Sequence, residues 1–327
     1  MGDKTVLLTG GAGYIGSHIA LDLIREGYEV IILDDLSKGF AAAVTDCELV
    51  EGDTGNKNLL ALLLGKRKVA AVMHFAGSTI VPESVEKPLW YYENNTVKSR
   101  NLVEVCVETG VKHFVFSSTA AVYGIPESGQ VTLQSPTEPV SPYGMSKLMT
   151  EIMLRDVSRV MPLKHAILRY FNVAGADPEG RIGQSTPDST LLIKVACEAA
   201  LGKRKELHIY GTDYPTPDGT GVRDYIHVSD LAAAHVLALQ RLETGGESTT
   251  LNCGYGHGYS VREVVRAVEQ VHGSPLTVVE TDRRPGDPPM LVADGSSAKE
   301  ILGWQPRYDD LEFIVRTSYD WEKNPRY

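Results

Sequence analysis

The chain of 327 residues has few cysteines and no long apolar run. Its four cysteines stand far apart, at positions 47, 106, 197 and 253, and no C-x-x-C pair occurs. We therefore expect free thiols, and neither a disulfide framework nor a metal site. No apolar stretch approaches the roughly 18 residues that a membrane span needs. An apolar strand begins by Val6 with no leader pattern ahead of it, so we expect a cytoplasmic protein.

Positive charge is also scarce in this sequence. There are 32 Lys and Arg residues against 42 Asp and Glu residues, which gives a net charge of −10. Nucleic acid and anionic membrane are therefore disfavoured as main partners, although a few local arginines can still hold a small anion. The length suits two domains, and the hydrophobic content of 43% is that of a globular protein.

Short apolar runs alternate with helical stretches in the first half of the chain. The runs have few polar interruptions, as in strands buried on both faces, and they lie at 5–9, 28–34, 69–76, 113–118 and 165–172. Helices are predicted between them at 14–26, 83–108 and 143–160. This rhythm predicts an α/β fold with a doubly wound parallel sheet of the Rossmann type.

The segment TGGAGYIGSH (9–18) follows the first strand and opens the first helix. Its glycines fit a turn that lets the backbone approach a pyrophosphate at the positive end of a helix. The predicted cofactor-binding residues of this turn are Gly10, Gly13, Tyr14, Ile15 and Gly16. The second strand ends at Asp34, where an acid binds the adenosine ribose and repels a 2′-phosphate, so NAD is favoured over NADP. Asp53, at the end of a third strand, is either an adenine contact or a surface acid.

The β-α rhythm loosens after residue 172. Long polar segments, rich in turn residues, follow at 175–189 and 211–224. We assign residues 1–172 to an NAD-binding Rossmann domain and residues 173–327 to a smaller C-terminal α/β substrate domain. A helix predicted at 229–242 indicates that a segment of about 223–254 returns to the first domain.

The segment SPYGMSK (141–147) places Tyr143 and Lys147 one helical turn apart on one face. A unit charge at ~4 Å, at an effective dielectric constant of ~20, contributes roughly 4 kcal/mol, or roughly 3 pKa units. We therefore expect Lys147 to lower the pKa of Tyr143, which then acts as a general base. The spacing is common by chance. It becomes coherent after the glycine turn and after Thr119, whose hydroxyl ends a strand.

Together these segments resemble the extended short-chain dehydrogenase/reductase family over about residues 4–310. The segments that carry the resemblance are TGGAGYIGSH, HFAG (74–77), ESVEKPLWYYENN (83–95), SPYGMSK, LRYFNVAGADPEG (168–180) and DYPTPDGTGVRDYIHVSDLA (213–232). The resemblance implies an isomerase that interconverts UDP-glucose and UDP-galactose. A tightly bound NAD would oxidise the sugar at C4, and the 4-keto sugar would rotate and be reduced on its opposite face.

The resemblance also implies roles for individual residues. Tyr143 would be the general base, Lys147 its cationic partner and Thr119 the hydroxyl that binds the substrate. Further cofactor contacts would be Phe75, Ala76, Gly77, Asn95 and Tyr170, with Tyr143 and Lys147. Substrate contacts would be Asn172, Arg223, Arg284, Asp287 and Leu291, with Thr119 and Tyr143.

Relatives in this family are commonly homodimers, which implies a partner surface on the helices near 83–108 and 143–160. The apolar candidates for that surface, which alternatively pack under a loop, are Leu102, Val103, Val105, Ile152, Met153 and Leu154.

Three alternative functions share this fold. Sugar-nucleotide dehydratases resemble one another in an Asp-Glu pair after the hydroxyl residue, and Ala120 and Ala121 at those places argue against elimination. A non-catalytic NAD-binding protein is disfavoured by the intact Tyr143–Lys147 pair. Epimerases of other UDP-sugars stay open. Leu291, of intermediate size at a position that restricts the sugar, predicts some activity on UDP-N-acetylglucosamine. Other departures from the family pattern are Thr79, Leu191 and Lys194.

Overall fold

The structure of the protein, a computed structural model, describes residues 4–284 and 286–327. Its strands are β1 (Thr5–Thr9), β2 (Glu29–Asp34), β3 (Glu48–Glu51), β4 (Ala71–His74), β5 (His113–Thr119), β6 (Gln130–Val131), β7 (Lys164–Tyr170), β8 (Asn172–Ala174), β9 (Leu207–Tyr210), β10 (Val222–Arg223), β11 (Tyr225–His227), β12 (Thr249–Cys253), β13 (Tyr259–Ser260), β14 (Val278–Thr281) and β15 (Met290–Ala293).

Helices connect most of these strands. The α-helices are α1 (Tyr14–Arg25), α2 (Lys57–Lys66), α3 (Val81–Glu86), α4 (Pro88–Tyr91), α5 (Lys98–Thr109), α6 (Pro142–Val160), α7 (Leu192–Ala200), α8 (Val228–Glu243), α9 (Val261–His272), α10 (Ser296–Leu302) and α11 (Leu311–Lys323). A π-helical segment (Tyr92–Val97) joins α4 to α5, and short 3₁₀ helices lie at Ala41–Ala43 and Ala120–Tyr123.

A seven-stranded sheet in the order β12-β7-β5-β4-β1-β2-β3 forms the centre of the first domain. All its neighbouring strands run parallel. Alternate residues of β1 lie on opposite faces of the sheet. Val6 and Leu8 pack in one hydrophobic cluster, and Leu7 packs in another. Because both faces are buried, the central residues of β1 and β2 are continuously apolar. The predicted fold class is confirmed.

The segment from α8 to β12 lies against this sheet. The edge strand β12 pairs with β7, and α8 packs on β5, β7 and α1. In the C-terminal half, α7, α9 and α11 pack against one another. A separate four-stranded sheet combines β10, β13 and β15 of this half with β6 of the first half. The domain limits drawn from the sequence stay a prediction.

The single helix predicted at 83–108 is wrong. Helix α3 ends at Glu86, and Lys87 has φ −127° and ψ 55°, outside the helical region. The cause is Pro88, whose ring disfavours helical geometry in the residue before it. The strand predicted at 165–172 also divides, because β7 ends at Tyr170 and β8 pairs with β11 instead.

Most of the apolar side chains proposed for a partner surface lie in the core. Four of them are at most 3% exposed, namely Leu102, Val103, Val105 and Leu154, so that assignment is wrong for these four. Their side chains pack in the cluster under α2, α5 and α6. Ile152 is 45% exposed, and Met153 is partly exposed.

Residues 4–284 and 286–327 contain no group of three or more His, Cys, Asp or Glu side chains arranged to hold a metal ion. No helix among them combines the length and the apolar character that crossing a membrane requires.

Candidate active site

A cavity of about 800 Å³ opens where the strands of the large sheet end at their carboxyl termini. In doubly wound folds this edge is where ligands bind. Successive strands each contribute a side chain or a turn to its wall, and these are Gly10 after β1, Asp34 of β2, Asp53 after β3, Phe75 after β4, Thr119 of β5 and Tyr170 of β7. Residues far apart in the chain thus meet in one site.

Two glycines of this turn have no room for a side chain. Gly10 has φ +71°, and a Cβ there would lie 2.5 Å from the backbone N of Ala76. A Cβ on Gly16 would lie 2.4 Å from the carbonyl oxygen of Gly10. Helix α1 begins within this segment, at Tyr14, and no side chain caps its N-terminus at Gly13. The first N–H groups of α1 are therefore available to an anion in the cavity.

Two carboxylates flank this turn. Asp34 accepts hydrogen bonds from the N–H groups of Ala12 (3.0 Å) and Leu36 (2.9 Å), so it also holds the turn in shape. Burial raises the pKa of Asp34, although these two N–H groups oppose the shift. Asp53 pairs with Lys98 at 2.7 Å. Partial burial would raise the pKa of Asp53, but the hydrogen bond and charge of Lys98 and the N–H of Gly55 together outweigh it, and the pKa falls.

The start of α6 places the Tyr143 and Lys147 side chains in the cavity wall. Ser141 caps the helix by accepting a hydrogen bond from the N–H of Gly144 at 3.2 Å, and Pro142 occupies the first helical position. A Cβ on Gly144 would lie 2.6 Å from the carbonyl oxygen of Ala121. Glycine thus lets α6 pack closely on the turn that follows β5, and the side chains of Tyr143 and Lys147 are buried.

The two reactive side chains have opposite pKa shifts. Burial raises the pKa of Tyr143, and a hydrogen bond with Thr119 opposes that shift. Burial lowers the pKa of Lys147 to about 8. The expected lowering of the pKa of Tyr143 is therefore wrong for the protein's own groups, because burial of the phenol raises its pKa. The Lys147 ammonium donates a hydrogen bond to the carbonyl oxygen of Ser117 (3.0 Å) and lies 5.1 Å from the centre of the Phe116 ring.

Two hydroxyl residues at the end of β5, Ser117 and Thr119, lie in the cavity wall. The Ser117 hydroxyl contacts the hydroxyl of Tyr170 in the cavity wall. The Thr119 oxygen accepts a hydrogen bond from the N–H of Ala121 at 3.1 Å, which leaves its hydrogen free to donate. Ala120 and Ala121 line the cavity themselves, so no carboxylate stands at these two places.

The opposite part of the wall comes from the C-terminal half. It includes four of the predicted substrate residues, Asn172, Arg223, Asp287 and Leu291. The Arg223 guanidinium lies 4.0 Å from Asp287, and the Asn172 amide donates to the carbonyl oxygen of Asp224 at 3.3 Å. Arg284 is not part of the wall, because its guanidinium lies over the ring of Tyr210, 3.7 Å from the ring centre.

Asn95 also lies outside the wall, unlike the other predicted cofactor residues. Its oxygen accepts from the N–H of Ser78 (2.7 Å), and its amide nitrogen donates to the carbonyl oxygen of Ser78 (3.0 Å) and to the hydroxyl of Ser146 (3.1 Å). The Asn95 amide therefore fixes the loop after Gly77 to α6.

The three departures from the family pattern occupy different environments. Thr79 and Leu191 lie in the wall, whereas Lys194 is buried and forms ion pairs with Glu198 and Glu322.

Several wall residues were missed by reasoning from the sequence. They include Lys38, Ser78, Asn94, Lys98, Val140, Phe171, Gln184 and Thr186. For Gln184 and Thr186 a signal existed, because they belong to the long polar segment at 175–189. The others come from loops and helix faces that only the tertiary fold brings together.

Known proteins resemble this chain over nearly its whole length. The family described as NAD dependent epimerase/dehydratase matches residues 6–254. A UDP-glucose 4-epimerase of Azospirillum brasilense is 57% identical over 98% of this chain and 92% of its own. The UDP-glucose 4-epimerase of Brucella ovis, solved in complex with NAD, is 43% identical over 97% of both chains, with a TM-score of 0.94. The UDP-Glc/GlcNAc 4-epimerase of Campylobacter jejuni is 48% identical over 98% of this chain and 99% of its own, with a TM-score of 0.86.

Proposed function

The chain belongs to the NAD dependent epimerase/dehydratase family, and on that premise we propose that it interconverts UDP-glucose and UDP-galactose with NAD as cofactor. One observation carries the proposal. Tyr143, Lys147 and Thr119 line the same cavity as the glycine turn, although they lie more than a hundred residues beyond it in the chain. The four unpaired cysteines suit a reducing compartment, so we place the activity in the cytoplasm.

The residues of the first domain fit NAD. The uncapped start of α1 suits the pyrophosphate, since Gly10 and Gly16 leave room where a Cβ would clash. Asp34, in the wall beside this turn, suits the adenosine ribose. When bound, NAD accepts a hydride from the sugar carbon and later returns it.

The protein's own groups handle the proton. Tyr143 takes the proton from the sugar hydroxyl at C4 and gives it back after the sugar has turned. Thr119 donates a hydrogen bond to the same oxygen, and the charge of Lys147 favours the phenolate of Tyr143 over the neutral phenol. Lys147 itself, with a pKa of about 8, stays largely protonated at neutral pH.

The part of the cavity wall that comes from the C-terminal half binds the UDP moiety of the substrate. Arg223 can donate to diphosphate oxygens, while Asn172 and Asp287 offer further polar contacts. A substrate held there by its UDP moiety keeps its place while the sugar rotates. Ala120 and Ala121 supply neither the acid nor the base that elimination needs, which favours epimerisation over dehydration.

Replacing Tyr143 with phenylalanine tests the proposal directly. Purified protein is incubated with UDP-galactose without added NAD, and UDP-glucose is followed over time. We expect Tyr143→Phe to lower kcat about 10²- to 10⁴-fold, the usual range for loss of a general acid–base group. In the wild-type protein kcat should rise with pH, because only the phenolate accepts a proton, and fall again at higher pH as Lys147, with a pKa of about 8, loses its charge.

The matched control is Tyr319→Phe. Tyr319 lies on α11 and contacts His272, outside the cavity wall. This variant should keep wild-type activity. Full activity in Tyr143→Phe would refute the assigned role, and a wild-type protein inactive on UDP-galactose would refute the function.

The size of Leu291 favours activity on a second substrate. It lies in the wall on β15, packed against the cluster that contains Tyr123 and Leu148. A leucine leaves more space than a tyrosine, and the Campylobacter jejuni relative is named for UDP-Glc and UDP-GlcNAc. We propose that the N-acetylated sugar nucleotide is also epimerised.

Narrowing the cavity at Leu291 tests this second substrate. Leu291→Tyr should lower kcat/KM for UDP-N-acetylgalactosamine by about tenfold or more, while that for UDP-galactose changes by less than about threefold. Leu291→Met, which keeps the volume, is the control and should match the wild type. A wild-type protein with no activity on UDP-N-acetylgalactosamine would contradict the proposal.

A homodimer is the assembly that we propose. Exposed apolar side chains cluster on α3, α4, the π-helical segment and α6, and these helices contact one another. They are Val85 (63% exposed), Leu89 (81%), Val97 (41%), Met149 (37%) and Ile152 (45%). Contiguous exposed apolar surface of this kind is typical of a subunit interface.

A charge placed on this face should separate the subunits. The wild type is expected to sediment as a dimer of the 35.7 kDa chain, and the double variant Leu89→Asp/Ile152→Asp as a monomer, because the new carboxylates would be buried. Leu62→Asp on α2, where Leu62 is 47% exposed, is the control and should stay dimeric. A monomeric wild type, or a dimeric double variant, would contradict the proposal.

A further inference from the structure

A connected set of buried polar side chains lies outside the cavity wall, next to the reactive residues. Its members are at most 4% exposed and are Ser118, Tyr123, Glu151, Arg169 and Asn252. None of them lines the cavity. Neither the general base nor the sites for cofactor and substrate described above use any of these groups.

Glu151 is the centre of this set. One of its oxygens accepts from the Ser118 hydroxyl (2.5 Å) and from Arg169 Nε (2.9 Å). The other accepts from Arg169 Nη2 (2.6 Å) and Arg155 Nη1 (3.2 Å). A carboxylate offers about four acceptor positions, so all of those on Glu151 are used. Such a carboxylate has one orientation that satisfies every partner.

The set continues from Arg169 toward the edge of the sheet. Arg169 Nη1 donates to the Tyr123 hydroxyl at 2.9 Å, and Tyr123 donates to the Asn252 side-chain oxygen at 2.7 Å. The Asn252 amide donates to the carbonyl oxygen of Val131 at 3.3 Å. Through these bonds β7, β12 and β6 are tied to the turn after β5.

The elements that Glu151 joins are those that carry the reactive groups. Glu151 lies on α6, four residues after Lys147 and eight after Tyr143, on the same face of the helix. Ser118 lies on β5 between two wall residues, Ser117 and Thr119. Arg169 directly precedes Tyr170 on β7.

We propose that Glu151 is a positioning residue, which through Ser118 and Arg169 fixes α6 in register with β5 and β7. That register brings Tyr143 to Thr119 and the Lys147 ammonium to the carbonyl oxygen of Ser117. This inference rests on the proposed function, since it concerns the geometry of the proton transfer that Tyr143 performs.

The chemistry of the pair supports a role in geometry. A buried carboxylate–guanidinium pair adds little stability over apolar side chains of the same size, because both charges must first be removed from water. Its two-pronged hydrogen bonds are directional, however, whereas apolar packing tolerates small sliding of a helix. Proton transfer is sensitive to such movement, and a displacement of about 1 Å can cost about 10²-fold in rate.

Ser118→Ala is the sharpest test. It removes the bond between β5 and Glu151 and leaves both bonds between Glu151 and Arg169 in place. With the holoenzyme and UDP-galactose, we expect kcat to fall about tenfold. KM should change by less than about twofold, because no substrate contact is lost. The acid limb of the pH profile of kcat should move to higher pH, since a phenol less well held beside Thr119 and Lys147 is harder to ionise.

Ser158→Ala is the matched control. The Ser158 hydroxyl also joins α6 to β7, through His165 Nδ1 at 2.7 Å, but near the far end of the helix. The same chemical group is lost, again from a bond that joins α6 to a strand of the large sheet. This variant should lose a similar amount of thermal stability and keep the wild-type kcat and pH profile.

A purely structural role would give a different result. If Ser118→Ala lowers the melting temperature as Ser158→Ala does, with kcat and the acid limb both unchanged, the inference is wrong. Ser118→Cys keeps a weak donor of similar size and should give a kcat between those of wild type and Ser118→Ala. If Ser118→Ala does not fold, the kcat of Ser118→Cys alone tests the inference. A wild-type protein inactive on UDP-galactose would instead refute the proposed function.

Discussion

The proposed function depends on two buried side chains, a lysine ammonium and a tyrosine hydroxyl, in the wall of one cavity. Tyr143 is 8% exposed and Lys147 is 4% exposed. Burial alone opposes the charged form of each, since it raises the pKa of Tyr143 and lowers that of Lys147. In the proposed mechanism the ammonium offsets part of the cost of forming the phenolate, because opposite charges attract strongly in a poorly solvated site. The proposed proton transfer therefore requires both side chains.

The surrounding fold keeps that pair in place. The parallel sheet gathers its strand ends at one edge, and Gly144 lets α6 come close enough to bury the pair there. The Ser117 carbonyl oxygen accepts from the ammonium and Thr119 bonds to the phenol, so β5 contacts both reactive groups. Outside the cavity wall, Glu151 on α6 accepts hydrogen bonds from Ser118 on β5 and Arg169 on β7, and so joins the three elements.

Features encoded by local pattern could be predicted from the sequence. The buried strands, the glycine turn and the four-residue spacing of Tyr143 and Lys147 all depend on neighbours in the chain. The end of helix α3 before Pro88 also depends on a local feature, but the helical periodicity of the segment predicted a continuous helix. What could not be predicted depends on tertiary contacts. The stacking of Arg284 on Tyr210 needs the fold, and so does the burial that reverses the expected pKa shift of Tyr143. The bond between Ser118 and Glu151 spans 33 residues and has no local signature.

The central claim is that the charge of Lys147 favours the phenolate of Tyr143, and a spectroscopic titration tests it most directly. The ultraviolet absorbance of phenolate is followed against pH in the wild type and in Lys147→Met, both saturated with NAD. In each background the matching Tyr143→Phe protein is subtracted, which removes the contribution of the other tyrosines among the 15 in the chain. The account predicts that Tyr143 ionises at a lower pH in the wild type than in Lys147→Met. The same titration midpoint in both proteins would contradict it.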